Sequence, residues 1–418
     1  MSERAGRKPS GWSSGENMAG GRLWVPLRSS DYRRLWLGQT VSVIGDKVHQ
    51  IALSVLVYER TGSGLQMGIT LAFTMLPAAL FGMLAGAYVD RWDRRTTMIV
   101  SDLLRAGLVL AVPFAAEVSL WLVYALAFLV AMVSLFFEPA KLSLIPDLVG
   151  SDELMAANSL DNATVSAAEL TGLVFAGGLV AGLGSRTAFI FDAVTYLASA
   201  LLIFSIAYRG QARLVLGGSW LDGVRDAAAG TRYVVAHPVL KDLLAIYAVA
   251  SAGLAASVVF VTLLALDRFG AGAVGLAALD GAITVGLLFG SLAVGRARPD
   301  HPARKLLWGL LAFALLFSAT SVMPSIAWTV PFLFAAGIAN MFFYVPVATL
   351  LQTISSADMR GRVFAAKQTT SRILSVVGFL AAGAIAESFG LSTAIVGVSA
   401  LVALAALAGW LRPALRSS

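Results

Sequence analysis

Residues 82–95 read Gly82-Met-Leu-Ala-Gly86-Ala-Tyr-Val-Asp90-Arg91-Trp-Asp93-Arg94-Arg95, an apolar run that ends in five charges within six residues before another apolar run begins. Lipid offers no partner to backbone polar groups, so an apolar segment crosses a membrane as a helix. So short a charged break leaves its two neighbours antiparallel and packed. Gly82 and Gly86 stand four apart on the first helix, a spacing that admits a close helix neighbour. The arginines alone read as a basic loop held on the cytoplasmic side. Asp90 has no topological task at that boundary, and ionisable groups at membrane depth are costly, so it marks a functional or gating position.

Composition leads to the same class. The chain has 418 residues, of which 58% are hydrophobic and only 13% charged, and a mean hydropathy of +0.80. A soluble domain carries about a quarter charged residues. With no cysteine, disulfides and thiolate metal sites are excluded, and three scattered histidines make no metal site. The net charge of +7 comes from arginines spread over short loops, which orients a membrane protein and does not mark a nucleic-acid surface.

Twelve apolar spans follow, at about 35–58, 66–89, 97–116, 118–137, 158–183, 187–208, 243–266, 274–294, 306–323, 326–351, 363–385 and 391–411. About 20 residues suffice to cross the hydrocarbon. One set of loops carries Arg91, Arg94, Arg95, Lys141, Arg209, Arg213, Arg225, Arg232, Lys241, Arg296, Arg298, Arg304, Lys305, Arg360 and Arg362, while the alternate loops carry only Arg60, Arg186 and Arg268. Both termini are therefore expected in the cytoplasm. The first 31 residues have no apolar core of signal-peptide length and read as a disordered tail.

The chain also repeats itself. Glu59-Arg60-Thr-Gly62 returns as Asp267-Arg268-Phe-Gly270, Gly82…Gly86 as Gly286…Gly290, and Phe136-Phe137 as Phe342-Phe343, each a little over 200 positions on. Val294 stands where a second Asp90 would fall, so the copies do not share the charged break. The expected organisation is a tail at 1–31, a six-helix bundle at 32–208, a cytoplasmic linker at 209–240, a second bundle at 241–412 and a tail at 413–418. In the linker, Ser219 to Asp222 resembles a capping box and His237-Pro238 stops an amphipathic helix.

Gly86-x-x-x-Asp90-Arg91-x-x-Arg94-Arg95 resembles the loop between helices 2 and 3 of the major facilitator superfamily, with Asp93 in place of a family glycine. Other stretches resemble its macrolide-efflux and enterobactin-exporter-like branch: Gly38-Gln39 with Gly45-Asp46, Pro139-Ala140 through Asp147, Ala157-Asn158-Ser159-Leu160, and Gly230 with His237-Pro238. The resemblance covers about residues 32 to 412. It implies an all-α polytopic fold of twelve transmembrane helices in two pseudo-symmetric six-helix bundles. Spans 1, 4, 7 and 10 would line a cavity, and spans 2, 5, 8 and 11 would form the interface between halves. It further implies a conformational latch made by Gly86, Asp90, Arg91, Arg94 and Arg95, in which Asp90 caps the start of span 11 near Arg362 and the arginines hold span 4 near Glu138. The exporter pattern Gly-Pro-x-x-x-Gly is present in span 5 only as Gly172…Gly177, without the proline.

Charges inside the spans carry the functional reading, since each costs about 2.5–3.5 kcal/mol at a helix centre. Asp102 and Arg105, three apart, can pair. Asp161 and Lys367 lie near cytoplasmic ends, where snorkelling accounts for them. In span 1 Gln39, Ser42, Asp46, His49 and Gln50 share one face, opposite Leu37, Val41, Ile44, Val48 and Ile51. So deep a polar stripe is expected to face a water-filled cavity. Asn158, Asn162 and Glu169 form a second stripe in span 5. Asp46 and Glu169, at mid-span, are the first proton-coupling candidates, with Asp46 preferred because His49 and Gln50 one turn away supply a polar face, and Asp280 is the next. Lys47 opposes that role if it approaches a carboxylate and fixes it as an ion pair. Asn340, Tyr344 and Arg372 join the polar stripes as cavity candidates, and Asp192 in span 6 is read as peripheral. The aromatic residues of spans 4 and 10, Tyr124, Phe128, Phe136, Phe137, Phe342, Phe343 and Tyr344, suit either a greasy ligand or plain core packing.

No catalytic constellation and no phosphate-binding loop is present in the sequence. The reading is therefore a monomeric, non-enzymatic secondary transporter of the cell membrane, without cofactor or metal. Its partners would be the bilayer, protons and a lipophilic small molecule exported by alternating access. The alternatives are export of a siderophore, movement of a lysophospholipid, or a non-transporting membrane protein that kept the fold.

Overall fold

The computed structural model describes residues 23–89, 92–208, 220–297, 301–356 and 358–412. The helices are α1 (Ser30–Thr61), α2 (Gly64–Val89), α3 (Arg94–Val118), α4 (Leu120–Leu148), α5 (154–183), α6 (185–204), α7 (Trp220–Ala236), α8 (Pro238–Leu263), α9 (Gly272–Arg296), α10 (Pro302–Ala319), α11 (Ile326–Ile354), α12 (Arg360–Phe389) and α13 (Leu391–Trp410). At 1.5 Å per residue, even the 18-residue α10 is about 27 Å long, close to the thickness of the hydrocarbon. Among the described residues, eleven continuous helical stretches are long and apolar enough to cross a membrane. One of them, Leu154–Phe204, turns back at Gly184 and supplies both α5 and α6, which makes twelve crossings.

Local chemistry sets the ends. Ser29 Oγ accepts from Tyr32 N at 3.3 Å and Ser119 Oγ from Trp121 N at 3.3 Å, which caps α1 and α4. Asp93 Oδ1 accepts from Thr96 N at 2.7 Å. The residue that departs from the family glycine is thus the N-cap of α3. At the opposite end of the molecule, where loops are poor in arginine, the halves use the same devices twice. Gly62 and Gly270 both adopt left-handed φ, 58° and 57°, where a side chain would be strained. Arg60 Nη1 donates to the Ala116 carbonyl at 3.1 Å, and Arg268 Nη1 to the Ser321 carbonyl. Each arginine therefore ties the end of the first helix of its half to the end of the third. Gly184 (φ 79°, ψ 164°) reverses the chain between α5 and α6, and Gly390 (φ 83°, ψ 150°) does so between α12 and α13.

Helices α1–α6 form one bundle and α8–α13 the other. The bundles meet along α2 with α12 and α5 with α9, the spans that the family resemblance places at the interface. Gly177 of α5 is pressed against α9, where an added Cβ would lie 3.0 Å from Ala277 Cβ. At the arginine-poor end Glu387 Oε2 accepts from Ser63 Oγ at 2.8 Å and from Leu65 N at 3.2 Å, and Tyr58 donates to Asp267 at 2.8 Å. These bonds cross from one half to the other. Between the bundles α7 docks on the start of α12, and Gly230 leaves no room for a Cβ beside the Arg362 carbonyl. Helix α7 stops before His237-Pro238; Ser219, its expected cap, lies outside the described residues.

Candidate functional site

The polar stripe of α1 faces α6, which corrects the expectation of a water-filled cavity. Gln39 Nε2 donates to Ser199 Oγ at 3.2 Å, Tyr196 Oη donates to Asp46 Oδ1, and His49 Nδ1 stands 3.2 Å from Asp192 Oδ2. Gly45 permits this approach, because a Cβ there would collide with Asp192 and Thr195. The residues of α1 exposed on the other side are apolar, Leu37 and Val41. Helical spacing identifies which side chains share a face, and a neighbouring helix can satisfy that face as well as water can.

Asp192 is fully buried at the centre of this seam, so its peripheral assignment is also corrected. Behind it Arg105 pairs with Asp102 on α3, and its guanidinium lies over Phe137 at 4.5 Å and Tyr196 at 4.3 Å. Three carboxylates, one guanidinium and one imidazole thus share one compartment inside the first bundle. Asp102 Oδ2 and Arg105 Nε are buried without a hydrogen bond, while His49 Nδ1 and Asp192 Oδ2 have only one another. A buried polar group left unsatisfied costs about 1–3 kcal/mol.

A second cluster straddles the halves. Lys47 Nζ lies 3.6 Å from Glu169 Oε1 and donates to Gln50 Oε1 at 3.2 Å, and Asp280 stands on α9, which packs against α5 and touches α1. Lys47 therefore approaches one of the three proton-coupling candidates, Glu169, and in this conformation holds it as an ion pair, the arrangement that opposes a proton-carrying role there. On α5, Asn158 and Asn162 are exposed and Glu169 is partly exposed. Arg372 of α12 reaches across to α2, donating to the Ala78 carbonyl at 3.1 Å with its guanidinium against Gly82. The bare Cα of Gly82 is the seat of that arginine.

Around the charged loop, Asp90 and Arg91 lie outside the described residues, as does the surface of Gly86. Arg94 Nη1 bonds Asp147 Oδ2 at 2.5 Å and the Ser143 carbonyl at 2.8 Å, holding the end of α4. Glu138 is not its partner in this structure, since Glu138 pairs with Lys141 at 3.2 Å. Lys141 pairs at the same distance with Asp161, which joins α4 to α5 and replaces the expected snorkelling. Arg95 donates to the Ile203 and Phe204 carbonyls and so caps α6.

In the second bundle Lys367 is 5% exposed and does not snorkel. Its Nζ lies 4.7 Å from the Tyr247 ring of α8 and 4.6 Å from the Tyr344 ring of α11. Among the described residues no carboxylate pairs with it. Of the aromatic residues of α4 and α11, Tyr124, Phe137 and Phe343 are core. Tyr344 is 45% exposed.

Set against known proteins, the chain matches the Major Facilitator Superfamily over residues 35–379. The chain belongs to that superfamily. Among curated major facilitator proteins it is 26% identical over 389 residues to the uncharacterised transporter YfiS of Bacillus subtilis, covering 86% of this chain and 88% of the relative. It is 26% identical to the multidrug efflux pump Tap of Mycolicibacterium fortuitum, covering 89% and 93%. Macrolide efflux protein A of Streptococcus pyogenes is 36% identical over 123 residues, 29% of this chain and 30% of that one. A bacterial homologue of the lysosomal transporter Spinster, solved inward-facing and unoccupied, has the same fold with a TM-score of 0.74 at 18% identity, covering 94% and 98%. The major facilitator protein described here is a multi-pass, non-enzymatic membrane transporter with efflux pumps among its relatives.

Proposed function

We propose that the protein is a proton-coupled exporter of lipophilic small molecules, working as a monomer by alternating access in the cell membrane with both termini in the cytoplasm. The observation that carries the coupling is the position of Lys47, whose ammonium lies 3.6 Å from Glu169 in its own half, on the side of that half packed against α9, the helix of Asp280. A carboxylate that loses this cation in a partly desolvated seam favours its protonated form. Rocking the halves would pass the cation from one acid to the other, so that proton uptake and release follow the conformational change. Asp46, held by Tyr196, is the third candidate, and it would communicate with the seam through Lys47, its neighbour on α1. Gln50, Asn158, Asn162, Asn340, Tyr344 and Arg372 remain candidates for the walls of the path, whereas Gln39 and His49 are taken up by α6.

The bonds that join the halves at the arginine-poor end support a closed external side, the state in which a cytoplasmic substrate enters. In the outward state Asp90 would cap α12 near Arg362, a carboxylate at a helix start being favoured by about 0.3–1 kcal/mol. The efflux relatives support export as the direction of transport. The test is accumulation in proteoliposomes under an imposed pH gradient. Glu169→Gln, Asp280→Asn or Asp46→Asn should abolish gradient-driven accumulation while substrate exchange at equal pH persists. Wild-type accumulation and pH dependence in all three variants would remove proton coupling from the account.

A further inference from the structure

We propose that Lys367, boxed between Tyr247 and Tyr344, binds the acidic group, carboxylate or phosphate, of an amphipathic substrate whose apolar body lies against α11. The inference rests on the reading of this protein as a small-molecule carrier, and it assigns the chemistry of what is carried.

An ammonium has three donors and seeks anions or carbonyl oxygens. Here two faces of the nitrogen are covered by π-systems, which attract a cation but accept no strong hydrogen bond. Among the described residues no carboxylate stands against it, although the two other buried cations, both in the first bundle, have one: Arg105 has Asp102, and Lys141 has Glu138 and Asp161. Nearby polarity is neutral. Tyr247 Oη donates to Ser371 Oγ at 3.3 Å, which donates to Ser251 Oγ at 3.3 Å, so these hydroxyls are occupied with one another. One turn from Tyr344 on α11, Asn340 Oδ1 is buried without a partner.

The box opens on a side of α11 other than the one packed on α10. Ile338, Ala339 and Phe342 of α11 line a groove of about 410 Å³ with Trp308 and Ala312 of α10. Two residues on from Phe342 turn the helix by about 200°, so Tyr344 projects away from that groove. It is nonetheless among the exposed large side chains. A half-exposed tyrosine over a buried, unpaired ammonium describes a vestibule whose floor is positive and whose rim is aromatic. A cationic drug would be repelled there, whereas an acid on an apolar body meets both of its needs.

The chain has no cysteine, so Ala348→Cys, one turn from Tyr344, is a unique label site. Its alkylation is measured in neutral-lipid nanodiscs against dodecyl phosphate, dodecanoate, dodecyltrimethylammonium and inorganic phosphate. The two acidic amphiphiles should protect at concentrations about tenfold lower than the cation with the same tail, as expected for a desolvated charge pair. Lys367→Met should erase that preference, and Lys367→Arg should keep it. Equal protection by all three dodecyl probes, or an anion preference that survives Lys367→Met, overturns the proposal. Protection by inorganic phosphate equal to that by dodecyl phosphate overturns the amphiphile and leaves a small free anion. If both variants fail to fold, Lys367 is a structural strut and the site is refuted. Anion preference without gradient-driven accumulation would count against the coupling mechanism and not against this site; accumulation indifferent to Lys367 would do the reverse.

Discussion

Lys47 Nζ and Glu169 Oε1 are 3.6 Å apart across α1 and α5, on the side of the first bundle that meets α9. Both side chains are partly exposed, and such a pair contributes at most about 1 kcal/mol to stability. Structural need therefore does not account for a lysine in the twelve-crossing core.

Lys47→Met should accordingly separate stability from transport. Thermal unfolding in detergent is expected to move little, by the equivalent of about 1 kcal/mol or less. Gradient-driven accumulation should fall to the level of Glu169→Gln. A large loss of thermal stability with transport retained in the surviving fraction would make Lys47 a structural residue.

The Asp102–Arg105 pair makes the opposite prediction. Arg105 is 5% exposed, and its removal strands a buried carboxylate. Arg105→Met should cost about 3–5 kcal/mol, and Asp102→Asn combined with it should recover part of that loss. A double-mutant cycle followed by thermal unfolding reads the coupling; strict additivity would show that the two charges do not interact.

Gly177 tests the seam between halves. An added side chain there meets Ala277 and, at 3.3 Å, the Val274 backbone. Gly177→Leu should hold the arginine-poor end open, so that a cysteine placed at Ser63 is alkylated faster from outside the cell than in the wild-type background. Transport should drop about tenfold or more, as for a blocked gating step. Unchanged labelling would mean that α5 and α9 do not close against each other.

Orientation is checked with reporter fusions. Those after Arg95, Arg304 and Arg362 should report cytoplasm, and those after Gly62 and Met323 the outside. An external signal at Arg95 would invert the cycle described above.

The fold was largely legible because its signals are local. Apolar length, arginine asymmetry and the recurrence of Arg60-x-Gly62 as Arg268-x-Gly270 each sit within a few residues of sequence. The Asp102–Arg105 pair was legible for the same reason, being one turn apart. The site was not. Asp192 has only Thr195 beside it in its own helix and meets its charged partner in His49, more than 140 positions earlier in the chain. Lys367 looked like a snorkelling lysine until Tyr247 and Tyr344, from two other helices, closed over it. Periodicity placed Gln39, Asp46 and His49 on one face correctly, but what that face meets depends on the packing of α6. Asp90 and Arg91, the most conspicuous charges of the sequence, lie outside the described residues.

The reversals at Gly184 and Gly390 join antiparallel helices through a single residue. A loop of several residues would let one helix slide while its neighbour stayed in place, whereas one residue has only two rotatable bonds and no slack. Helices α5 and α6 are consequently one jointed rod, as are α12 and α13. Any sliding of α5 along α9 is delivered to α6, and α6 carries Asp192, Tyr196 and Ser199. The buried polar compartment of the first bundle and the contact surface between the bundles are mechanically in series, so displacement at one is registered at the other without a messenger molecule or a flexible linker.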